Sequence, residues 1–375
     1  MPQKGKKGKI FLGMSGGVDS SVSAALLMKA GYEVVGVFIK VWEPAGVPCT
    51  WRAERREAMR VAAHLGIPLL TLDLSKKYEK EVVDYMIKEY KRGRTPNPDV
   101  MCNRYVKFGA FYDWAIAQGA DYVATGHYAK VGFEKKQTLP AHGQNGKFAT
   151  KVSFSLRQSA DENKDQTYFL WDIKRECLPH IIFPIGHLTK TGVRRLAKKF
   201  GLPNAEKRDS QGLCFVGQLD LKSFLKRQIG IKPGQVVNEK GEVIGEHDGA
   251  IFYTIGERHG FNVRSSTSNT DSLYVVARNI KKNLITVSTK DHLLKKVNRE
   301  VVLEKVNWLV PDELITKSRK LKARIRHRGE LLPCVAKVTG NKVVVTFSKT
   351  PDALASGQSL VLYDKDICLG GGIIA

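Results

Sequence analysis

A glycine-rich turn between a short apolar run and a helix-like segment constrains the fold of this chain more than any other feature. Ile10 to Leu12 precedes the turn Gly13 to Ser20, and the one-sided apolar pattern of Ser20 to Ala30 predicts a helix. Glycines let a backbone approach phosphate closely, and N–H groups at a helix N-terminus attract anions. The turn therefore predicts a phosphate loop, although it lacks the lysine of a Walker A loop. The alternative is a tight strand-to-helix turn without a ligand.

Strand-like and helix-like segments alternate as far as about Ala129. Such alternation predicts an α/β domain with a parallel sheet covered on both faces, in which ligands bind beyond the carboxyl ends of the strands. The predicted strands are 33–41, 68–72 and 121–125, and the predicted helices are 52–65, 75–92, 105–118 and 189–200.

Short strands separated by turns replace this pattern from Gly217 onward. They predict two small β-barrels after the α/β domain, and hence domains at 1–216, 217–298 and 299–375. The strands predicted in the central barrel are 235–237, 250–255, 274–278 and 284–288. We interpret 133–150 as an exposed insertion and 264–272 as a loop.

The charge of the chain favours a polyanionic partner. Lysine and arginine exceed aspartate and glutamate by 61 − 37 = 24 over the 375 residues. No apolar run approaches the roughly 18 residues that a membrane span needs, and the first nine residues lack the apolar region of a signal peptide. We expect a cytoplasmic protein without a membrane partner.

Two of the six cysteines, Cys102 and Cys214, lie in polar, loop-like segments, and no pair has CxxC spacing. The two prolines of 95–103 predict that no helix crosses that segment, which puts Cys102 at or near the start of the next helix. Partial positive charge there stabilises a thiolate, Lys107 lies one turn further on, and Asp99 is close enough to exchange protons. Buried structural cysteines are the alternative for both.

The string SGGVDS at 15–20 resembles the pyrophosphatase loop of the adenine-nucleotide α-hydrolase superfamily, whose members cleave ATP between the α- and β-phosphates. Asp19 is too acidic to touch phosphate, so we expect it to hold Mg²⁺ or to orient the loop. Adenylation of a uracil oxygen would create a leaving group. A persulfide on Cys214, in a turn that permits swinging, could then supply sulfur, and attack by Cys102 would leave a Cys102–Cys214 disulfide.

Eight segments between residues 9 and 375, among them PNPDVMCN, ATGHY, KDQTYFL, DSQGLCF and CLGGGII, resemble the bacterial tRNA 2-thiouridylases of the MnmA/TrmU family. The resemblance implies an ATP site at Gly13, Met14, Ser15, Gly16, Gly17, Val18, Asp19, Ser20, Ile39 and Gly126. It implies that Asn97, Pro98 and Asp99 meet the target base, that Cys102 is the nucleophile and that Cys214 carries the persulfide. It implies tRNA contacts at His127, Lys164, Asp165, Gln166, Arg326, His327 and Gln358. The chain departs from the family at Ile39, Gln211, His327 and the longer segment 133–150.

Basic residues alternate strictly with apolar ones from Lys320 to Arg328. As a strand, this segment would place five cations on one face, where they could follow a phosphate backbone. A solvated surface strand is the alternative.

The sequence thus predicts an ATP- and Mg²⁺-dependent enzyme that thiolates a uridine of tRNA, with a cysteine desulfurase or a sulfur-relay protein as its sulfur donor. That the target is the wobble uridine is implied by the family resemblance alone. No metal ligand set is assigned. Asp99, Cys102 and Cys214 could instead hold an iron–sulfur cluster. The rival functions are an amidating synthetase of the same superfamily, which would not need the cysteines, and a non-catalytic tRNA-binding protein, which would not release pyrophosphate.

Overall fold

The computed structural model describes residues 7–44, 51–138, 149–209, 221–264, 272–291, 298–311, 320–340 and 342–375. Every helix within these ranges is too short or too polar to span a membrane. Of the predicted loop at 264–272, residues 265–271 lie outside the described ranges.

The N-terminal domain is built on a five-stranded parallel sheet in the order β3-β2-β1-β4-β7, which confirms the predicted fold class. Because β1 is flanked by β2 and β4, the strand order reverses between β1 and β4, and ligands of such sheets bind at this point. The glycine-rich turn leaves β1 here, beside the residue that follows β4. The strands are β1 (Lys9–Gly13), β2 (Glu33–Lys40), β3 (Leu69–Asp73), β4 (Tyr122–Thr125) and β7 (Ile181–Ile182).

Helices cover both faces of the sheet, and two of them contain π-helical stretches. The helices are α1 (Val18–Lys29), α2 (Trp51–Leu65), α3 (Ser75–Tyr78) continuing through a π-helix (Glu79–Asp84) into α4 (Tyr85–Lys91), α5 (Pro98–Met101) continuing through a π-helix (Cys102–Phe111) into α6 (Tyr112–Ala117), α7 (Lys190–Lys199) and α8 (Leu221–Ile229). The long helix predicted at 75–92 is therefore present.

The helix that carries Cys102 begins earlier than predicted. We expected the prolines to exclude helix from 95–103, but the helix starts at Pro98, and the side chain of Asn97 caps it by accepting from Val100 N at 3.4 Å. Proline is compatible with the first helical position because its missing N–H has no helical partner there. Cys102 consequently lies just beyond the first turn.

The central domain contains a five-stranded sheet in the order β10-β9-β8-β12-β11. Its strands are β8 (Gly234–Val237), β9 (Val243–His247), β10 (Asn262–Val263), β11 (Tyr274–Asn279) and β12 (Leu284–Ser288). The strand predicted at 250–255 is wrong, because Ala250–Phe252 is a 3₁₀ turn. The chain turns there at Gly249, whose φ of +146° is outside the range of an ordinary strand residue.

The C-terminal domain is a closed barrel of antiparallel strands in the order β13-β16-β15-β14-β17-β18, and pairing of β13 with β18 closes it. Its strands are β13 (Glu300–Trp308), β14 (Leu321–Arg324), β15 (Leu332–Thr339), β16 (Lys342–Phe347), β17 (Ser359–Asp364) and β18 (Ile367–Ile374). The predicted appended β-barrel is confirmed here.

A hairpin from the N-terminal domain joins this barrel. β5 (Ala129–Thr138) and β6 (Ala149–Gln158) pair over their whole length, and β6 continues the barrel sheet beside β18. Within the segment interpreted as an exposed insertion, residues 133–138 and 149–150 belong to these strands, whereas 139–148 lie outside the described residues.

The five-cation face predicted for Lys320 to Arg328 does not exist. β14 ends at Arg324, which is 7% exposed, and the chain then turns, with Arg328 at a φ of +59°. Burial of Arg324 is possible because its guanidinium meets the carboxylate of Asp165 at 3.0 Å inside the interface with the N-terminal domain. The alternating pattern correctly predicted a strand at Leu321–Arg324, but it could not indicate that the strand ends there.

Candidate nucleotide and sulfur-transfer site

The glycine-rich turn forms a compact loop whose own hydroxyl groups hold it. Ser20 Oγ donates to Gly17 O at 3.0 Å and accepts from Ser15 N at 3.3 Å. Gly16 has a φ of +73°, and a side chain there would lie 2.5 Å from Glu54 O of α2. The loop thus presents backbone N–H groups at the start of α1, where an anion is favoured.

Gly126 allows the loop after β4 to approach the phosphate loop. A Cβ atom at Gly126 would lie 2.8 Å from Ser20 N, closer than real Cβ atoms come, and 3.0 Å from the carbonyl carbon of Asp19. The remaining positions of the predicted ATP site, Met14, Val18 and Ile39, are buried in the core of the domain. Any contact from these three to a nucleotide would therefore involve mainly their backbones.

Asp19 is bound by two side chains that sequence analysis missed. Tyr128 Oη donates to Asp19 Oδ1 at 2.8 Å, and Lys190 Nζ lies 2.7 Å from Oδ1 and 2.9 Å from Oδ2. Burial, followed by the charge of Asp19, raises the pKa of Tyr128, which therefore stays protonated and donates. Lys190 occupies the first position of α7, after the N-cap Thr189, so a lysine placed at a helix start was the available signal.

Asp209 connects the phosphate loop to the segment that carries Cys214. Its carboxylate lies 2.8 Å from Lys190 Nζ, 2.6 Å from Arg194 Nη2 and 2.8 Å from Lys164 Nζ. Burial by itself raises the pKa of Asp209, but the hydrogen bonds from Lys164 and Lys190 outweigh it and lower that pKa. Asp209 is therefore ionised and held by three cations.

Cys214 itself and Gln211 lie outside the described residues. Cys214 follows Asp209 by 214 − 209 = 5 residues, which corresponds to a reach of at most about 17 Å. The anchored carboxylate therefore limits how far from the phosphate loop this thiol can lie.

Cys102 is fully buried in the π-helical stretch Cys102–Phe111. In an α-helix, residues five apart point to different sides, but the wider π-helical turn brings them much closer to one face. Lys107, the fifth residue after Cys102 in this stretch, is also buried. In general, burial disfavours a thiolate and a lysine close to the sulfur favours it.

His127 holds Lys107. Lys107 Nζ lies 3.2 Å from His127 Nε2, Thr125 Oγ1 lies 2.7 Å from His127 Nδ1, and both Lys107 and His127 are less than a tenth exposed. Burial, and then the charge of Lys107, lower the pKa of His127 well below its usual value. Because an ammonium only donates, Nε2 of His127 accepts. Nδ1 therefore carries the ring proton and donates a hydrogen bond to Thr125 Oγ1. A neutral histidine thus leaves the positive charge on Lys107.

The segment Lys164 to Gln166 makes well-defined contacts within the protein. Gln166 pairs with the backbone of Tyr128 through two hydrogen bonds of 2.9 Å, one from its backbone N–H and one to its side-chain oxygen. Asp165 is 1% exposed and accepts from Thr167 Oγ1 at 2.6 Å and from Arg324 at 3.0 Å. Asp165 thereby links the N-terminal domain to the barrel, a role that the sequence did not indicate.

The three predicted tRNA-contacting residues of the barrel lie in different environments. Arg326 is exposed and pairs with Asp352 at 3.1 Å. The ring of His327 packs on Phe169 with 4.5 Å between ring centroids. Gln358 Nε2 donates to Thr95 O at 3.1 Å, which holds the segment before Asn97 against the barrel.

The structure therefore brings together the phosphate loop, Gly126, Lys164 and Gln166. A second group comprises Asn97, Pro98, Asp99, Cys102 and His127, arranged on and beside one helix. Asp165 and Gln358 belong to the interface between the domains, and Arg326 lies on the outer surface. Within the described residues, no three His, Cys, Asp or Glu side chains are grouped to hold a metal ion.

Comparison with known proteins gives full-length matches. The family model described as tRNA methyl transferase HUP domain matches residues 8–218, the tRNA methyl transferase PRC-barrel domain matches 222–289, and the aminomethyltransferase beta-barrel domain matches 298–374. The tRNA-specific 2-thiouridylase MnmA of Oceanobacillus iheyensis is 40% identical over 98% of this chain and 95% of its own length. The enzyme of the same name from Bacillus velezensis is 38% identical over all of this chain and 96% of its own.

Among solved structures, the U34-tRNA thiolase NcsA from Methanococcus maripaludis with its 4Fe–4S cluster is 16% identical to this chain. It covers 60% of this chain and 67% of its own, with a TM-score of 0.34. Nothing about chemistry follows from a similarity of this size.

Proposed function

Because the chain belongs to the tRNA-specific 2-thiouridylase family, we propose that Cys102, Cys214 and Asp99 transfer sulfur to C2 of the wobble uridine. The chain is an ATP-dependent tRNA-uridine 2-sulfurtransferase, and its 40% identity to such enzymes over nearly its whole length carries this conclusion. Neither an amidating synthetase nor a non-catalytic tRNA-binding protein is favoured by these matches.

The first step activates the uridine. The C2 oxygen attacks the α-phosphate of ATP, pyrophosphate leaves, and the oxygen becomes part of an AMP leaving group. The N–H groups of Ser15 to Ser20 hold the phosphates. Lys190, whose Nζ lies 2.7 Å from Asp19 Oδ1, adds a positive charge beside them. Asp19, as the carboxylate of the loop, would hold Mg²⁺, which supplies further charge neutralisation for the leaving pyrophosphate.

The second step moves sulfur. The terminal sulfur of a Cys214 persulfide forms a bond to C2, and AMP leaves with the former C2 oxygen. The Cys102 thiolate then attacks Sγ of Cys214 and breaks the sulfur–sulfur bond, which leaves 2-thiouridine and a Cys102–Cys214 disulfide. A thiol reductant and a new persulfide prepare the enzyme for the next turnover. Asp99, half-buried three residues before Cys102, exchanges the proton of the base.

Two contacts support these assignments. Lys107, held at 3.2 Å by a neutral His127, supplies the cation that a fully buried Cys102 thiolate requires. Asp209, which lies five residues before Cys214 in the chain, is held beside the phosphate loop by Lys190. The Cα atom of Cys214 can therefore lie no more than about 17 Å from the Cα atom of Asp209.

The remaining assignments are the tRNA contacts, the domain boundaries and the sulfur donor. Lys164, with 31% of its side chain exposed, and the exposed Arg326 retain surface through which they would meet phosphate. The other predicted tRNA contacts would affect tRNA binding indirectly, by fixing the protein segments that surround the tRNA. They are His127, Asp165, Gln166, His327 and Gln358. The proposal places the domain boundaries at 1–216, 217–298 and 299–375. It also assigns delivery of sulfur to Cys214 to a cysteine desulfurase or a relay protein.

Analysis of tRNA nucleosides tests the function. Unmodified tRNA incubated with the protein, ATP, Mg²⁺ and a persulfide source should gain one sulfur in place of one oxygen on uridine. Cys102→Ser should lose this product while tRNA-dependent pyrophosphate release persists. Cys334→Ala, which removes a thiol buried in the C-terminal barrel, is the matched control. Thiolation by Cys102→Ser at the wild-type rate would contradict the assignment.

A cluster held by Asp99, Cys102 and Cys214 is the alternative to the persulfide relay. Anaerobic purification followed by iron analysis and visible absorbance separates the two. Iron in stoichiometric amount, lost in Cys102→Ser, would replace the relay with a cluster that binds sulfide on an open iron.

A further inference from the structure

The hairpin of β5 and β6 projects from the body of the protein. The two strands pair over ten residues each, from Ala129↔Gln158 to Thr138↔Ala149. Only Leu156 and Arg157 of β6 pair with the barrel, through β18. The outer part of the hairpin therefore lies beyond the barrel, and β5 is the edge of this sheet in the part of the chain that the structure describes.

One face of the hairpin is apolar and becomes exposed toward its end. Val131 lies opposite Leu156, and Phe133 lies opposite Phe154, so the four side chains share a face. Leu156 is fully buried against the body of the protein, whereas Phe133 is 64% exposed and Val152, on the same face, is 43% exposed. The rings of Phe133 and Phe154 lie 6.4 Å apart and form an open aromatic surface.

The opposite face is polar, and its one carboxylate is paired. Arg157 crosses the position of Gly132, which has no side chain to displace it, and pairs with Glu134 at 3.1 Å and with Asp366 at 3.2 Å. Glu134 is the only acidic residue of the hairpin sequence. Because Glu134 pairs with Arg157 on the polar face, the hairpin contributes no acidic residue to the apolar face.

The charge of the hairpin selects among the partners that could cover this apolar face. Residues 129–158 contain six cations (Lys130, Lys135, Lys136, Lys147, Lys151 and Arg157) and one acid, a balance of 6 − 1 = +5. A second copy of the chain would bring like charge against like charge. A polyanion is favoured, and a polyanion with unpaired bases also offers planar surfaces for an exposed phenylalanine.

The position of the hairpin identifies the polyanion. Tyr128 separates it from His127, and residues 159–163 separate it from Lys164 to Gln166, so the chain enters and leaves the hairpin near the proposed tRNA site. The inference below rests on that proposed function and adds a surface to it.

We propose that the hairpin is an accessory tRNA-binding surface on which Phe133 stacks against an unpaired nucleobase, and that the net positive charge of the hairpin sequence favours the approach of the phosphate backbone. Stacking on an aromatic ring tolerates any base, because each base has a π-face. The surface therefore adds affinity without selecting a tRNA sequence, and it holds the tRNA beyond the uridine that reacts.

Substitution of Phe133 tests the stacking. Phe133→Ala should weaken tRNA binding about 5- to 100-fold at fixed salt, the range expected for loss of one base–aromatic stack. The slope of log Kd against log salt should stay as in the wild type, because no cation is removed. Ile231→Ala, at a residue that is 59% exposed in the central domain, is the matched control and should bind tRNA as the wild type does.

A photo-crosslinker identifies the partner directly. Phe133→p-benzoylphenylalanine in the full-length protein, irradiated with tRNA, should crosslink to an unpaired nucleotide. A crosslink formed only to a second copy, or only to an added acidic sulfur-donor protein, would overturn the inference, as would unchanged binding by Phe133→Ala. If the wild type neither binds nor thiolates tRNA, the proposed function fails. If it does both and Phe133→Ala matches it, only the hairpin inference fails.

Discussion

Lys190 Nζ lies 2.8 Å from Asp209 Oδ1, and the same ammonium contacts Asp19 of the phosphate loop. One lysine thus connects the place where ATP is cleaved to the chain segment that leads to Cys214. The two steps of the reaction can therefore be separated by substitutions on either side of this contact.

Asp209→Asn should slow sulfur transfer more than adenylation. The amide binds the three cations less strongly, so the start of the Cys214 segment loses its anchor while Lys190 keeps Asp19. We expect a decrease of about 10- to 100-fold in single-turnover thiolation, the effect of misplacing a reacting group. Pyrophosphate release that depends on tRNA should remain near the wild-type rate.

Glu206→Gln is the control for Asp209→Asn, because it removes a carboxylate three residues earlier whose partner, Lys198, is exposed. It should leave both steps unchanged. If Asp209→Asn slows both steps equally, Asp209 acts through the phosphate loop and not on the Cys214 segment.

Lys107→Met should move the pH dependence of sulfur transfer upward. The substitution keeps the length of the buried side chain and removes its charge, so the pKa of the Cys102 thiol should rise. An opposite charge at close range lowers a pKa by about 1 to 3 units, and we expect the midpoint of the rate–pH profile to shift by about 1 unit or more. Lys29→Met, exposed at the end of α1, changes the net charge equally and should leave the profile in place. A profile that only falls in height would contradict this role.

Arg324→Leu should destabilise the protein strongly. It leaves the Asp165 carboxylate, whose side chain is fully buried, without its guanidinium, and breaking such a pair costs about 3–5 kcal/mol. Urea unfolding measures the change. Arg326→Leu, two residues away in an exposed pair with Asp352, should cost at most about 1 kcal/mol. The double substitution Asp165→Asn with Arg324→Leu should recover part of the loss, and equal effects of the two arginine substitutions would contradict the assignment.

His127 should make the protein acid-sensitive below about pH 6.5. Its pKa in the folded state is lowered by burial and by Lys107, so the unfolded chain binds more protons between the two pKa values. Its contribution to stability is thus complete above pH 6.5 and is lost as the pH falls toward the folded pKa, by at most about 1.4 kcal/mol per pH unit.

In His127→Gln, a neutral amide can still accept from Lys107, and this part of the acid sensitivity should disappear. Urea midpoints measured at several pH values provide the comparison. The two proteins should run parallel above pH 7 and diverge below it. Curves that remain parallel down to pH 5 would show that His127 titrates normally.

The sequence by itself determined the elements whose signals are local. A strand, a glycine turn and a helix in immediate succession predict the phosphate loop, because the geometry of β1, Gly16 and α1 depends on neighbouring residues in the chain. The parallel sheet followed from the alternation of segments, and the family followed from motifs spread over the whole chain. The proline pattern failed only because Pro98 can open a helix as well as interrupt one.

Tertiary structure alone decided which charges meet. Arg324 looks like a surface cation in an alternating strand, but the barrel places it against the buried Asp165, some 160 residues earlier in the chain. Asp209 carries no distinguishing pattern, and the position of Lys190 at a helix start does not indicate its partners; only the packing of α7 beside the phosphate loop joins the two residues to Asp19. Ion pairs and burial depend on distances between segments that are remote in sequence, and residue periodicity contains no information about those distances.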